Sequence, residues 1–354
     1  MKEHFSPLLI PNEDIEFVYK SIGNNWDRLR NKKLLLTGGT GFVGKWILDV
    51  FLHANRKRNL SAKVVLVSRD PDLFLSKFPM LKKFEEIHWI KKDIRQLSYK
   101  DVGSCSFAIH ATTAFGDNAS SEDIFDTCVV GMRNVIDIMK SSKGLKRMLF
   151  LSSGAVYGPI PSTIKYVSED LKVTRRLPKI LSAYAKGKRE SENQCLSCIK
   201  DQKELEIVIA RCFAFVGPHL PLNKHFAIGN FIDSALRDND ILIRGDGSPC
   251  RSYLYAADLT HWLWVLLFDG VSGRPYNVGS AKSISINELA HQVNKTLKGS
   301  KKILVSKKTI KGMQPEIYVP STKRIQSEFA LKPTVSLEEA ILKTANWAKI
   351  VKKN

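Results

Sequence analysis

No stretch of about 18 uninterrupted apolar residues occurs in the 354-residue chain, so a membrane-crossing helix is not expected. The first twenty residues lack the basic start, apolar stretch and small-residue cleavage site of an export signal, which points to a soluble, cytoplasmic protein with no membrane partner. Cysteine is scarce: Cys105, Cys128, Cys195, Cys198, Cys212 and Cys250 are scattered, which excludes a small disulfide scaffold. Cys195 and Cys198 form the only close pair. They fall inside a helical pattern with no second pair or histidines at zinc spacing, so core packing is expected and no metal. Internal repeats, low-complexity tracts and flexible linkers are also missing, leaving one wide domain or two interleaved ones.

Lys and Arg number 55 against 35 Asp and Glu, a net charge of +20. The basic clusters are short and spread from Arg56-Lys57-Arg58 to Lys352-Lys353. Aromatics do not interleave with them and no single groove-reading helix gathers them, so a solvated lysine-rich surface is expected and no nucleic-acid partner. The positive field would attract an anionic substrate.

Apolar periodicity supplies the architecture. Ile15, Val18, Tyr19, Ile22 and Trp26 recur at helical spacing, giving an N-terminal extension over residues 1–30 with a helix over 14–29. Short β-branched or apolar runs at 33–37, 63–67, 87–90, 107–110, 148–152 and 207–211 alternate with helical patterns at 42–53, 124–140 and 183–199. That alternation implies an α/β fold with a doubly wound parallel sheet over residues 31–216. Beyond residue 217 the chain turns to Pro-, Gly- and Asn-rich loops with shorter elements at 231–236, 241–244 and 259–267. A last helix opens on the capping pair Ser336 and Glu339 and runs through 347. This smaller C-terminal region, 217–354, is expected to bind substrate while interleaving with the first, and the cleft between them is the default site.

Three segments carry chemistry. Gly38, Gly41 and Gly44, with Phe42 and Val43 between the last two, join the first strand to the first helix of the sheet, where missing side chains let a diphosphate reach backbone N–H groups and the positive helix end. The second strand ends in Ser68-Arg69, where an NAD enzyme usually places an acid for the adenosine ribose. An arginine beside a small hydroxyl suits a 2′-phosphate, which favours NADP(H) over NAD(H). Asp70 follows at once, and a plain surface charge at Arg69 is the other reading. Ser153 lies past the fifth strand, and Tyr184 and Lys188 share one helical face at i and i+4. An ammonium beside a phenol favours the phenolate. The three together offer a general acid/base and a hydrogen-bond donor for one carbinol or carbonyl oxygen.

In combination these motifs resemble the extended short-chain dehydrogenases/reductases, the NAD(P)-dependent nucleotide-sugar epimerase/dehydratase family, over about residues 32–348. The resemblance implies a Rossmann-type sheet, with the pyrophosphate at Gly38, Gly41, Phe42, Val43 and Gly44. It implies adenine at Asp93 and Ile94, and cofactor contacts along His110, Ala111, Thr112 and Thr113. Ser153, Tyr184 and Lys188 become the catalytic set, Lys188 also touching the nicotinamide ribose and Ser153 the substrate. Arg251 falls on the arginine that holds the sugar-nucleotide diphosphate, a task suited to its two-pronged guanidinium. A homodimer through helices 124–140 and 183–199 is expected on the same analogy.

Two departures narrow the activity. Family dehydratases carry an acidic pair where this chain has Gly154 and Ala155, which argues against a 4,6-dehydratase and equally against a glutamate-dependent decarboxylase. Ala214 stands where many members place a substrate-contacting Asn. Asn230 is the candidate replacement, a chain-turning Asn being the other reading. The expected reaction is hydride transfer at C4 of a nucleotide-diphosphate hexose, first as a 4-keto-6-deoxyhexose reductase and otherwise as a 4-epimerase with tightly bound NAD. A non-catalytic dinucleotide sensor is the remote alternative, opposed by the intact Ser153, Tyr184 and Lys188.

Overall fold

The computed structural model describes residues 6–113, 119–161, 163–171, 182–224, 226–308 and 315–353. Two compact units emerge, the first from Met1–Gly158, Lys172–Arg211 and Thr260–Tyr276, the second from Pro159–Leu171, Cys212–Leu259 and Asn277–Asn354. The chain begins with α1 (Asn12–Ile22), a 3-10 turn (Gly23–Leu29), β1 (Lys33–Thr37), α2 (Phe42–Lys57), β2 (Lys63–Ser68), α3 (Pro71–Lys77) and β3 (Ile87–Lys91). It continues through α4 (Tyr99–Val102), β4 (Phe107–His110), α5 (Ser121–Ser141), β5 (Lys146–Ser153), α6 (Ala183–Asp201) and β6 (Leu205–Cys212).

From residue 213 the elements shorten to β7 (Phe215–Val216), α7 (Ala227–Leu236), β8 (Ile241–Ile243), β9 (Cys250–Arg251) and β10 (Leu254–Tyr255). Then come α8 (Ala256–Asp269), β11 (Pro275–Val278), β12 (Ile284–Ser285), α9 (Ile286–Thr296), β13 (Ile303–Val305), β14 (Ile317–Tyr318), α10 (Lys323–Phe329) and α11 (Leu337–Lys353). No helix among the described residues is long and apolar enough to cross a membrane.

Seven strands form the central sheet in the order β11-β6-β5-β4-β1-β2-β3. β1 pairs in parallel with both β2 and β4, which places the reversal of strand order between β1 and β4, the usual ligand crevice of an open α/β sheet. Side chains alternate across the sheet. Leu35, Val65, Ala108, Met148 and Phe150 join Met132, Val135, Met139, Cys195 and Cys198 of α5 and α6 in one buried cluster. The Cys195/Cys198 pair is thus core: both are free thiols, and Cys195 Sγ lies 3.6 Å from Met132 Sδ.

The continuous helix expected over 14–29 is instead broken at Gly23, whose φ of 58° no regular helix accepts. The tighter turn that follows turns Trp26 inward, where it is fully buried edge-on to Trp264 at 4.7 Å and Phe268 at 5.9 Å, with its Nε1 donating to the Tyr19 carbonyl. Arg147 reaches the same helix end, donating to the carbonyls of Leu267 and Gly270 and pairing with Glu206.

Within the second unit, β7 pairs with β10, β9 lies between β12 and β14, and β8 pairs with β13. The fully buried Asn277 donates to the carbonyls of Val167 and Ser321, tying the two segments together. Asp258 accepts from the Thr334 hydroxyl at 2.6 Å and its N–H at 3.0 Å. Ser336 caps α11 through the Glu339 N–H.

Candidate active site

The turn after β1 has room only for glycine at two positions. Gly38 sits at φ 71°, and a Cβ there would lie 2.6 Å from the Ala111 carbonyl oxygen, while a Cβ on Gly44 would lie 2.2 Å from the Gly38 oxygen. Gly41 caps the turn, its N–H bonded to the Gly38 carbonyl at 3.0 Å. Gly41, the N-cap of α2, has no side chain to bond the first N–H groups, so those of Phe42, Val43 and Gly44 open that helix as the diphosphate cradle needs. Ala111 after β4 donates its N–H to the Thr37 carbonyl, placing Ala111 and Thr112 beside Gly38, with Thr113 next along the chain. The donor set therefore fits a dinucleotide.

At the end of β2, Ser68 is half-buried and accepts from the Asp70 N–H, and Arg69 is exposed. Asp70 caps α3, its Oδ1 accepting from the Leu73 N–H at 3.0 Å. One strand over, Asp93 accepts from the Arg95 N–H at 2.8 Å, and its two oxygens take Nε and Nη2 of Arg95 at 3.0 and 2.9 Å. The Arg95 guanidinium holds the Asp93 carboxyl below the usual carboxylate range. Ile94 is buried against Gly131, where a Cβ would lie 3.0 Å from it.

Ser153, Tyr184 and Lys188 come from β5 and α6. Ser182 caps α6 by accepting from the Ala185 N–H, which starts the helix just before Tyr184. Lys188, 2% exposed, donates to the Leu151 carbonyl at 2.8 Å and the Thr112 carbonyl at 3.4 Å, and its Nζ stands 5.9 Å from the Tyr184 ring centre. Ser153, two residues past Leu151, accepts from the Ala155 N–H at 3.1 Å as its chain enters a 3-10 turn (Gly154–Tyr157). β5, α6 and the residues after β4 thus meet around one ammonium.

His110 lies beneath that ammonium, stacked with Phe150, its Nδ1 2.8 Å from the Thr37 hydroxyl. Burial, with Lys188 adding repulsion, pushes its pKa down to about 3, and burial pushes His261 down to about 4. Both rings stay neutral in the folded protein, while unfolded histidine takes up a proton near pH 6.5. Each pKa is depressed on folding, so the stability is intact above pH ~6.5 and is lost as pH falls towards the folded value, by about 1.4 kcal/mol per pH unit and histidine. Buried Asp49, pushed up to about 7, acts with the opposite sign in the same range. Urea unfolding at pH 6 and pH 5 should therefore show a shallower loss in His261→Gln than in wild type, by about 1.4 kcal/mol per pH unit; equal slopes would mean that His261 titrates normally.

A buried polar cluster that is absent from the expected site residues lies behind this set. Glu192 Oε1 accepts from the Ser152 hydroxyl at 2.5 Å and from Arg211 Nε at 3.0 Å, and Oε2 takes Arg211 Nη2 at 2.7 Å. Arg211 also donates to the Tyr157 hydroxyl at 3.0 Å. Glu192 lies four residues beyond Lys188 on the face that carries Tyr184, and that spacing was the available signal.

Two expected substrate residues lie in the second unit. Asn230 is half-buried in the first turn of α7, its N–H on the Phe226 carbonyl. Arg251 on β9 donates to the Cys250 carbonyl at 2.9 Å and to Glu316 at 3.0 Å, with its guanidinium 5.7 Å from the Tyr318 ring centre.

A glycine turn at the strand-order reversal, followed by serine, tyrosine and lysine on β5 and α6, defines a dinucleotide-dependent enzyme class. The NAD dependent epimerase/dehydratase family model matches residues 34–279, and the chain belongs to that family. UDP-glucuronic acid decarboxylase 1 of Xenopus tropicalis is 26% identical over 327 residues, covering 89% of this chain and 72% of its own. UDP-N-acetyl-alpha-D-glucosaminuronate decarboxylase of Bacillus cytotoxicus is 26% identical over 332 residues, with 89% and 97% covered. The structure of UDP-glucuronic acid 4-epimerase from Bacillus cereus in complex with NAD superposes with a TM-score of 0.75 at 23% identity, covering 91% of this chain and 98% of that one.

Proposed function

We propose that the protein is an NADP(H)-dependent reductase of a nucleotide-diphosphate 4-keto-6-deoxyhexose. The observation that supports this reading is the end of β2: Ser68 and Arg69 stand where a ribose-binding acid would be expected, and the neighbouring Asp70 turns Oδ1 to the cap of α3. Gly154 and Ala155 have no proton to give, which opposes the dehydration and decarboxylation that acidic residues at those positions serve.

In this reading Tyr184 donates its phenolic proton to the C4 carbonyl oxygen as that oxygen becomes a hydroxyl, and Ser153 hydrogen-bonds the same oxygen. Lys188, held by the Leu151 carbonyl, keeps positive charge beside the phenol. Arg251 binds the substrate diphosphate, exchanging exposed Glu316 for phosphate oxygens. A nicotinamide dinucleotide held on the glycine turn supplies the hydride.

A 4-epimerase with retained NAD is the second reading, supported by the NAD-bound 4-epimerase among the solved structures that resemble this chain. The fate of the label separates the two. With a nucleotide-linked 4-keto-6-deoxyhexose and NADPH deuterated at nicotinamide C4, the reductase should deposit one deuterium at sugar C4 per NADPH consumed. Arg69→Asp should then turn the preference from NADPH towards NADH, because a carboxylate repels the 2′-phosphate and accepts ribose hydroxyls. Interconversion of 4-hydroxy sugars without added cofactor, leaving product unlabelled, would replace the reductase with the epimerase.

A further inference from the structure

Tyr184, Lys188 and Glu192 recur every four residues on one face of α6, so an anion lies one helical turn from the ammonium that serves the phenol. Left to itself, a buried carboxylate at that spacing would pair with the lysine and cancel the charge that Tyr184 experiences. Glu192 is instead occupied on both oxygens. Arg211 grips it from β6 with two nitrogens, and Ser152, the residue before Ser153, donates to it from β5. Arg211 continues to the Tyr157 hydroxyl, the last residue of the turn that Ser153 caps. All four side chains are at least nine-tenths buried.

We propose that Glu192 and Arg211 are positioning residues: their clamp keeps the Glu192 carboxylate off Lys188, so that the ammonium acts on Tyr184, and it fixes α6 against the strand end that bears Ser153. The inference rests on the proposed role of Tyr184. Other titratable groups face Lys188 from the elements packed around it. His110 on β4, Cys128 on α5 and Cys195 on α6 are all kept neutral by burial. Arg189, next to Lys188 in sequence, directs its guanidinium to the Val156 carbonyl and feels both Glu192 and Arg211. Among the described residues, Glu192 is the carboxylate one helical turn beyond Lys188 on α6, and Arg211 is the partner that holds it.

Opposite perturbations test the proposal. Glu192→Gln leaves the Arg211 cation uncompensated and should lower the ionisation midpoint of Tyr184. Arg211→Met frees the carboxylate to neutralise Lys188 and should raise it. Each shift should be about 1 pH unit, the scale for a unit charge about 12 Å away at an effective dielectric near 20. The double variant removes both charges, buries no unpaired ion and should return to within about 0.3 pH unit of wild type. The readout is the phenolate difference absorbance between each protein and its Tyr184→Phe counterpart, together with the alkaline limb of the pH–rate profile. Shifts of opposite sign that cancel in the double variant support the proposal. Shifts of one sign, no shift, or a lowered kcat with an unmoved midpoint in a folded single variant overturn it. If the single variants do not fold, the double variant still decides: a midpoint near wild type supports the clamp, and one displaced by a full unit overturns it. Unchanged turnover in Tyr184→Phe would remove the catalytic reading alone, since the absorbance still reports the pair.

Discussion

Tyr184→Phe should fold, bind dinucleotide as wild type does, and turn over about 10²-fold or more slowly, the usual scale for losing a positioned general acid. The phenol ring keeps its place because α6 is fixed by other groups: Ser182 caps its first turn and Glu192 anchors its middle. Deleting one oxygen leaves the Lys188 contacts to the Leu151 and Thr112 carbonyls in place. Turnover measured where chemistry limits the rate, with dinucleotide affinity from titration calorimetry, checks the expectation. Wild-type turnover would take Tyr184 out of the chemistry, and a matching loss of cofactor affinity would assign it to the binding site instead.

The second large effect is on stability. Glu192→Ala strands the Arg211 guanidinium, 9% exposed, with its main counter-ion gone and the Ser152 hydroxyl without its acceptor. Breaking a buried pair on one side costs about 3–5 kcal/mol, much of it the desolvation of the charge left behind. Urea unfolding should show a loss of that size. Combining Glu192→Ala with Arg211→Met should recover part of it, since two apolar groups leave no charge to desolvate. A loss under about 1 kcal/mol in Glu192→Ala would show water or another group compensating Arg211.

The sheet was legible because its strands are short and apolar on both faces: Val64-Val65-Leu66-Val67 can be little else between two turn signals. The glycine turn was legible for a related reason, since backbone crowding at Gly38 and Gly44 leaves only one residue type. Residues 14–29 misled because Trp26 continues the helical rhythm of Ile15 and Ile22 while facing the core from a different backbone; only Gly23 marked the break. The cluster behind the site stayed hidden for a physical reason. A glutamate on a helix rich in Lys, Arg and Glu looks like solvated surface until the strand bearing Arg211, 19 residues later, is placed beside it. Long-range polar pairing has no periodicity to read. The same applies to Asp70, whose capping role depends on where α3 starts.

The discontinuous first unit constrains synthesis on the ribosome. Its sheet ends in β11, and Arg147 and Trp26 find their partners among residues 264–270, so about three-quarters of the chain must emerge before that unit can close. Until then β6 leaves the tunnel with one edge unpaired and Trp26 has no indole to meet. A nascent chain of about 250 residues should accordingly be protease-sensitive and depend on holding factors, whereas one extended past residue 276 should acquire resistance in a single step.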